Sequence, residues 1–384
     1  MKSMTNNGEA LKVGFIGGGI NSAIGETHKI ASQMDGHFEL VSGFFSRHDD
    51  INQQTAASWG IHEDRVYRDL TGFLQAEASK LDAVIILTPT PTHKDIVIAC
   101  IEHQLPVICE KSLATSVEEV AEIQHALEQM NGTLLVTFNY SGYPMVRELK
   151  QRIADGELGQ IRQVMVEMPQ EGFLRHVKSG AVPRPQDWRQ HDGVIPTVSL
   201  DLGVHAHQMV DFIIGEQAQD VYAVHHRFGE IPDVVDTVHC ISGYTNQVVC
   251  NYWYTKAALG YRNGLRIRVY GSKGSAEWLQ MDPEHLKLSN INGVSSVIDR
   301  THPDNLIASQ PRYNRFKAGH PAGFIEAFAN YYEDIASYLK ESACEYVFGA
   351  DVAMRGIRYL QAAAASAHSG ERVTLPQEPH ITSI

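Results

Sequence analysis

The chain has 384 residues, 43% of them hydrophobic and 20% charged, which is ordinary globular composition at a length too great for one ordinary core. A formal net charge of −13 argues against nucleic acid and anionic membrane surfaces as partners, while one local basic pocket would still admit an anionic substrate. No apolar run approaches a membrane span, residues 1–10 lack the apolar core of a signal peptide, and five scattered cysteines form no CxxC pair, so a soluble cytoplasmic protein with reduced thiols is expected.

In chain order, residues 12–16 read as a strand that runs at once into Gly17, Gly18 and Gly19. A helix at 26–33, a strand at 38–45 and a helix at 52–59 follow. A strand at 81–87 ends in Thr88 and Pro89, and is followed by a helix at 93–102 and a strand at 106–109. Residues 117–130 carry apolar side chains at helical spacing, and 133–138 form another strand. Strands alternating with helices predict a parallel sheet covered on both faces, in a domain spanning 11–138.

The pattern changes after Asn139. A helix at 145–154 breaks at Gly156 and Gly159, and 161–168 alternates as a strand. Residues 169–196 are rich in Pro, Gly and charge and read as a long functional loop. Residues 198–214 are helical in spacing. Consecutive strands at 221–228, 235–244, 247–254, 265–270 and 275–279 predict an antiparallel sheet in an α+β second domain. Helices at 324–339 and 350–368 close the chain, giving a second domain at 139–370 with tails at 1–10 and 371–384.

A strand that ends in three glycines and enters a helix is the first turn of a dinucleotide fold. Glycines let the backbone approach a pyrophosphate, and the helix N-terminus offers unpaired N–H donors. Gly17, Gly19, Ile20 and Asn21 are therefore expected at a cofactor. Ser22 stands where the third glycine of GxGxxG would be, and Gly25 follows three positions later, so a longer turn would be needed to place it against the sheet. A plain tight turn is the competing reading; the flanking strand, helix and βαβ continuation favour the cofactor. At the tip of the second strand, Ser46 and Arg47 suit a 2′-phosphate, whereas Asp49 or Asp50 swung inward would suit ribose hydroxyls. The expected cofactor is NAD or NADP, with the balance tipping to NADP.

With Thr88-Pro89-Thr90-Pro91-Thr92-His93 and Glu110-Lys111-Ser112, the chain resembles the Gfo/Idh/MocA oxidoreductases, the glucose–fructose oxidoreductase and inositol dehydrogenase family. The resemblance runs from Val13 to the closing helices. In that family a TPxxxH loop follows the fourth strand and an EKP loop the fifth. Here Ser112 replaces the proline and the lysine stays. The resemblance places Thr88, Pro89, Thr90, His93, Glu110 and Lys111 at the cofactor. The family's DxGxHxxD motif is matched by Asp201, Gly203 and His205, with Gln208 in place of the final Asp that often contacts substrate hydroxyls. Trp188-Arg189 and Gly319-His320-Pro321 are similar to segments of uncharacterised and sugar-oxidising members. The implied fold is an α/β Rossmann domain plus an α+β domain with a large open, mainly antiparallel sheet, through which homodimers or homotetramers pack.

Oxidising a secondary alcohol removes a proton from oxygen and a hydride from carbon, so a base and a stabiliser of the alkoxide are needed. Taken alone, Lys111 reads as a surface lysine before a helix; the resemblance makes it the group that holds the oxygen. His205 has the titration range of a general base, against the reading of a satisfied core histidine. Asp201, four positions earlier, shares its helix face and otherwise reads as a first-turn acid. Lys111, Asp201 and His205 are expected to be catalytic. Tyr140, Trp188, Arg189, Gln208 and His320 are expected at the substrate, with Asn314 and Arg315 as further candidates. Trp188 would stack on a sugar ring or plug the long loop, and Arg189 would bind a carboxylate or phosphate. The chain has 19 histidines, yet no HxxxH with a carboxylate, and the pairs His205/His207 and His225/His226 diverge, so no metal is expected. The expected activity is hydride transfer between NAD(P) and a secondary alcohol of a sugar, sugar derivative or cyclitol. An NAD-dependent glycoside-cleaving enzyme and a non-catalytic NAD(P)-binding sensor are the alternatives.

Overall fold

The computed structural model describes residues 9–317, 319–341 and 344–376; of the expected tails, 1–8 and 377–384 lie outside the described residues. Five short strands build the first sheet: β1 (Leu11–Gly17), β2 (Phe38–Phe44), β3 (Ala83–Leu87), β4 (Val107–Glu110) and β5 (Leu134–Thr137). All pair in parallel, in the order β2-β1-β3-β4-β5. β3 reads AVIIL and is buried along its whole length, as a strand covered on both faces must be. Helices α1 (Gly25–Gln33), α2 (Asp49–Trp59), α3 (Leu70–Glu77), α4 (His93–Glu102) and α5 (Val117–Met130) connect and flank these strands. Full burial of each Val or Ile here contributes about 1.5–3 kcal/mol. The strand order reverses between β1 and β3, which opens a crevice at their carboxyl ends, where Gly17 pairs with Leu87.

Helix α6 (Pro144–Ala154) leads into the second sheet. Its strands are β6 (Ile161–Pro169), β7 (Asp220–His226), β8 (Thr237–Gly243), β9 (Val249–Thr255), β10 (Arg266–Gly271), β11 (Gly274–Leu279), β12 (Asp282–Asn290), β13 (Ser295–Asp299) and β14 (Val373–Thr374). The order is β13-β12-β11-β10-β6-β9-β8-β7-β14, antiparallel throughout except for β6 beside β9. Helix α7 (Val204–Ile214) covers the sheet from one side, and α8 (Phe324–Glu341) and α9 (Ala350–Ser369) return to the first domain. Tyr331 donates its hydroxyl to the Val136 carbonyl at 2.6 Å, and the Gln361 amide oxygen accepts from the Val117 N–H at 3.2 Å.

The structure adds elements that the residue pattern did not announce. β13 turns a single buried side chain, Ile298, inward, so its sequence carries almost no alternation. α3 is fixed by the Asp69 carboxylate, which accepts from the Gly72 N–H at 2.7 Å as an N-cap. The long loop after β6 is pinned by a small cluster of its own, Phe173, Ile231 and Val234 with Val182. Among the described residues no helix is long and apolar enough to cross a membrane.

Candidate active site

The glycine turn after β1 takes backbone geometry that side chains resist: Gly17 and Gly18 have φ of +81° and +76°. A Cβ on Gly25, at the start of α1, would lie 1.8 Å from the Gly18 carbonyl oxygen. Gly25 thus does the packing expected of a third glycine, three residues late. The Ile20 N–H donates to Thr55 Oγ1 at 3.1 Å, and Ser22 Oγ accepts from the Ile24 and Gly25 N–H groups, each at 3.3 Å. A tight glycine cradle before a helix N-terminus fits a dinucleotide pyrophosphate. Ser46 sits half-buried with its Oγ accepting the His48 N–H at 3.1 Å, and Arg47 is exposed. Asp49 is drawn to Arg68, with Nε 3.3 Å from its carboxylate.

A cleft of about 410 Å³ continues from this turn and lies between the two domains, a size usual for small-molecule sites. Ser22, Ala23, Thr88, Pro89, Thr90 and Glu110 line its end beside the glycine turn. Lys111, Tyr140, Trp188, Arg189, Asp201 and His205 line the other. His93 is buried behind the wall, with Nδ1 2.8 Å from the Ser112 carbonyl and Nε2 2.8 Å from the Thr88 carbonyl. It braces the two loops against each other and does not face the cleft. Glu110 turns to His28, whose Nε2 lies 3.0 Å from Oε1, and to the Thr137 hydroxyl.

The helix entering α7 opens with a wide π turn, Ser199–Gly203. Two side chains of the loop after β4 grip its carbonyls: Ser112 Oγ donates to Leu200 O at 2.9 Å, and Lys111 Nζ to Asp201 O at 2.9 Å. Such turns recur at functional sites. The Lys111–Ser112 peptide is cis. Lys111 Nζ also lies 3.2 Å from Asp201 Oδ1. Lys256, at the end of β9, pairs with Oδ2 of the same carboxylate, and Arg189 approaches at 3.4 Å. Burial alone would raise the Asp201 pKa, but Lys256, Lys111 and Arg189 outweigh it and hold the carboxyl well below its ordinary range.

His205 stands edge-on to the Tyr140 ring, with centroids 4.7 Å apart, and its Nδ1 is buried without a hydrogen-bond partner. Burial and the Lys111 ammonium hold its pKa well below 6.5 despite Asp201, so the imidazole is neutral at pH 7. Tyr140 accepts from the Asn263 amide at 2.9 Å, and burial pushes its phenol above the usual range. The Arg189 guanidinium stacks 4.3 Å over the Trp188 ring.

Several expected substrate residues lie elsewhere. Gln208 is buried on α7 with both amide atoms unpaired and is not on the cleft wall. His320 packs edge-on against Phe316 at 4.7 Å. Arg315 is taken by Asp35 and Asn330, and the Asn314 amide donates to the carbonyls of Ser309 and Gln310. Sequence reasoning missed Lys256, Asn139, Gln170, Gln186 and Asn263; Lys256 carried one signal, a lysine directly after the aromatic-rich strand Val249–Thr255.

Family models agree with this geometry. Residues 11–138 match "Oxidoreductase family, NAD-binding Rossmann fold" and residues 150–375 match "Oxidoreductase family, C-terminal alpha/beta domain". The chain belongs to the Gfo/Idh/MocA oxidoreductase family. As a member it is an NAD-binding oxidoreductase. An uncharacterised oxidoreductase, YfiI of Bacillus subtilis, is 28% identical over 94% of this chain and 95% of its own. Glucose-6-phosphate 3-dehydrogenase of the same organism is 26% identical over 78% and 82%. Among solved structures, an inositol dehydrogenase homolog from Azotobacter vinelandii complexed with NAD+ superposes with a TM-score of 0.89 at 25% identity, covering 96% of this chain and 98% of that one.

Proposed function

We propose that this Gfo/Idh/MocA protein is a dehydrogenase or reductase that moves a hydride between NAD or NADP and a secondary alcohol of a sugar, sugar derivative or cyclitol. One observation carries the reading. Lys111 from the first domain meets Asp201 and His205 from the second on one cleft wall, at the carboxyl edge of the parallel sheet. Named relatives act on sugar-like alcohols, including glucose-6-phosphate 3-dehydrogenase and myo-inositol 2-dehydrogenase.

When bound, the nicotinamide supplies the hydride acceptor. Lys111 holds the substrate oxygen and stabilises the charge that develops there as its proton leaves. His205, neutral at working pH, takes that proton. Asp201 positions the Lys111 ammonium through its carbonyl and its carboxylate, while Lys256 and Arg189 keep that carboxylate ionised. Ser46 and Arg47 at the tip of β2 support NADP alongside NAD. Exposed Tyr222, Ile241, Val249 and Val297 on the open face of the large sheet support pairing of copies into a homodimer or homotetramer. The test is nicotinamide absorbance in purified protein given NAD+ or NADP+ with a panel of polyols. Reduction by at least one polyol is expected; a cofactor that binds and is reduced by none would contradict the proposal.

A further inference from the structure

The charges around Asp201 do not balance. Three cations, Lys111, Lys256 and Arg189, converge on one carboxylate. The other carboxylate on the cleft wall, Glu110, is turned to His28 and Thr137 at the end beside the glycine turn. This happens in a chain whose net charge is −13. Local cationic excess in a partly enclosed cleft focuses the field on an anion.

The three cations are not held alike. Lys256 is in tight contact with Asp201 Oδ2, and Lys111 donates to the Asp201 carbonyl at 2.9 Å. Arg189 is the loose partner: its Nη2 donates to Asp201 Oδ1 at 3.4 Å, and its buried Nε lies 3.4 Å from Oδ2 without making a hydrogen bond. Its fork lies in the cleft, steadied by the Trp188 ring and the Gln186 amide oxygen. A planar guanidinium whose two contacts to a carboxylate are both long suits a shorter fork onto two oxygens of another anion. Asn139, Gln170 and Asn263 line the same cleft with neutral amides, which suit hydroxyl groups.

We infer that the substrate is a polyol bearing an oxyanion, a carboxylate or a phosphate, which Arg189 binds as a fork while Lys111 holds the reacting hydroxyl. The inference rests on the dehydrogenase reading and names the substrate class of that same site. Arg189 then exchanges its long contact to Asp201 for a short one to substrate, and the carboxylate keeps both lysines.

The test uses the full chain saturated with NAD+ or NADP+ and matched ligands: D-glucose 6-phosphate, D-gluconate and D-glucuronate, each against D-glucose. Affinity is read by titration calorimetry and turnover by nicotinamide absorbance. At least one anionic member is expected to bind about 30-fold more tightly than glucose, as a charge-assisted bidentate contact would give. The arm that gains separates a phosphate from a carboxylate substrate. Arg189→Gln is expected to erase the gain and Arg189→Lys to keep part of it, which also controls for a misfolded variant. Glucose binding as well as every anionic counterpart, or an anionic gain that survives Arg189→Gln, overturns the inference. Turnover of neutral sugars alone would overturn it while leaving the dehydrogenase reading intact; anion binding without any nicotinamide reduction would remove the dehydrogenase reading instead.

Discussion

The Lys111 ammonium donates to the Asp201 main-chain carbonyl at 2.9 Å and lies 3.2 Å from its carboxylate, tying the loop after β4 to the π turn of the second domain. Two domains are thus joined at the atoms proposed to do the chemistry. The joint depends on Asp201 staying ionised, and Lys256, only 8% exposed, is its tightest partner.

Lys256→Met should therefore destabilise the fold by about 3 kcal/mol, the low end for breaking a buried ion pair, because Lys111 and Arg189 still face Asp201. Adding Asp201→Asn should recover none of that loss, since Lys111 and Arg189 then lose their carboxylate as well. Urea unfolding of the two single variants and the double variant measures this. A loss below about 1 kcal/mol for Lys256→Met would show that the pair is not structurally coupled.

His205 gives a pH signature. Oxidation requires the neutral imidazole, and activity falls as pH drops through its pKa. Burial and Lys111 hold that pKa well below 6.5, so the neutral form persists far into acid. The acid limb of kcat/KM, which reports the free enzyme, should lie well below pH 6.5. His205→Gln should lower kcat by about 100-fold or more. An acid limb at the ordinary histidine value would mean that His205 is not the titrating base.

Gly25→Ala should cost both stability and cofactor affinity, because its Cβ would meet the Gly18 carbonyl oxygen at 1.8 Å and backbone must move. We expect NAD(P)+ affinity to fall at least about tenfold as the cradle shifts. Gly72→Ala, where the nearest atom is 3.4 Å away on helix α3, serves as the control and should change little. Fluorescence titration of NAD(P)H compares the two; equal affinities would remove the cradle from the cofactor site.

The first sheet was legible because its central strand β3 is a continuous apolar run and glycine or proline marks the turns after β1 and β3, signals that need no tertiary knowledge. The Lys111 motif was legible through its resemblance to a family loop. The π turn was not: nothing in Ser199–Gly203 marks it, since the carbonyls involved are claimed by Ser112 and Lys111 from 88 and 90 residues away. Lys256 was missed for a like reason, as only the folded chain brings it to Asp201, 55 residues back. His320 and Arg315 show the converse. Their residue types suit a substrate, but Arg315 is consumed by Asp35, and His320 packs on Phe316. Gln208 keeps the motif position and yet leaves both amide atoms unpaired.

The most direct test of the account is single-turnover reduction of bound NAD(P)+ by the best polyol of the panel, in wild type and in Lys111→Met. Loss of the ammonium that holds the reacting oxygen should slow reduction by about 1,000-fold, while NAD(P)+ affinity stays within about threefold of wild type. Reduction by Lys111→Met at the wild-type rate would contradict the proposal that this lysine and His205 form the reaction centre.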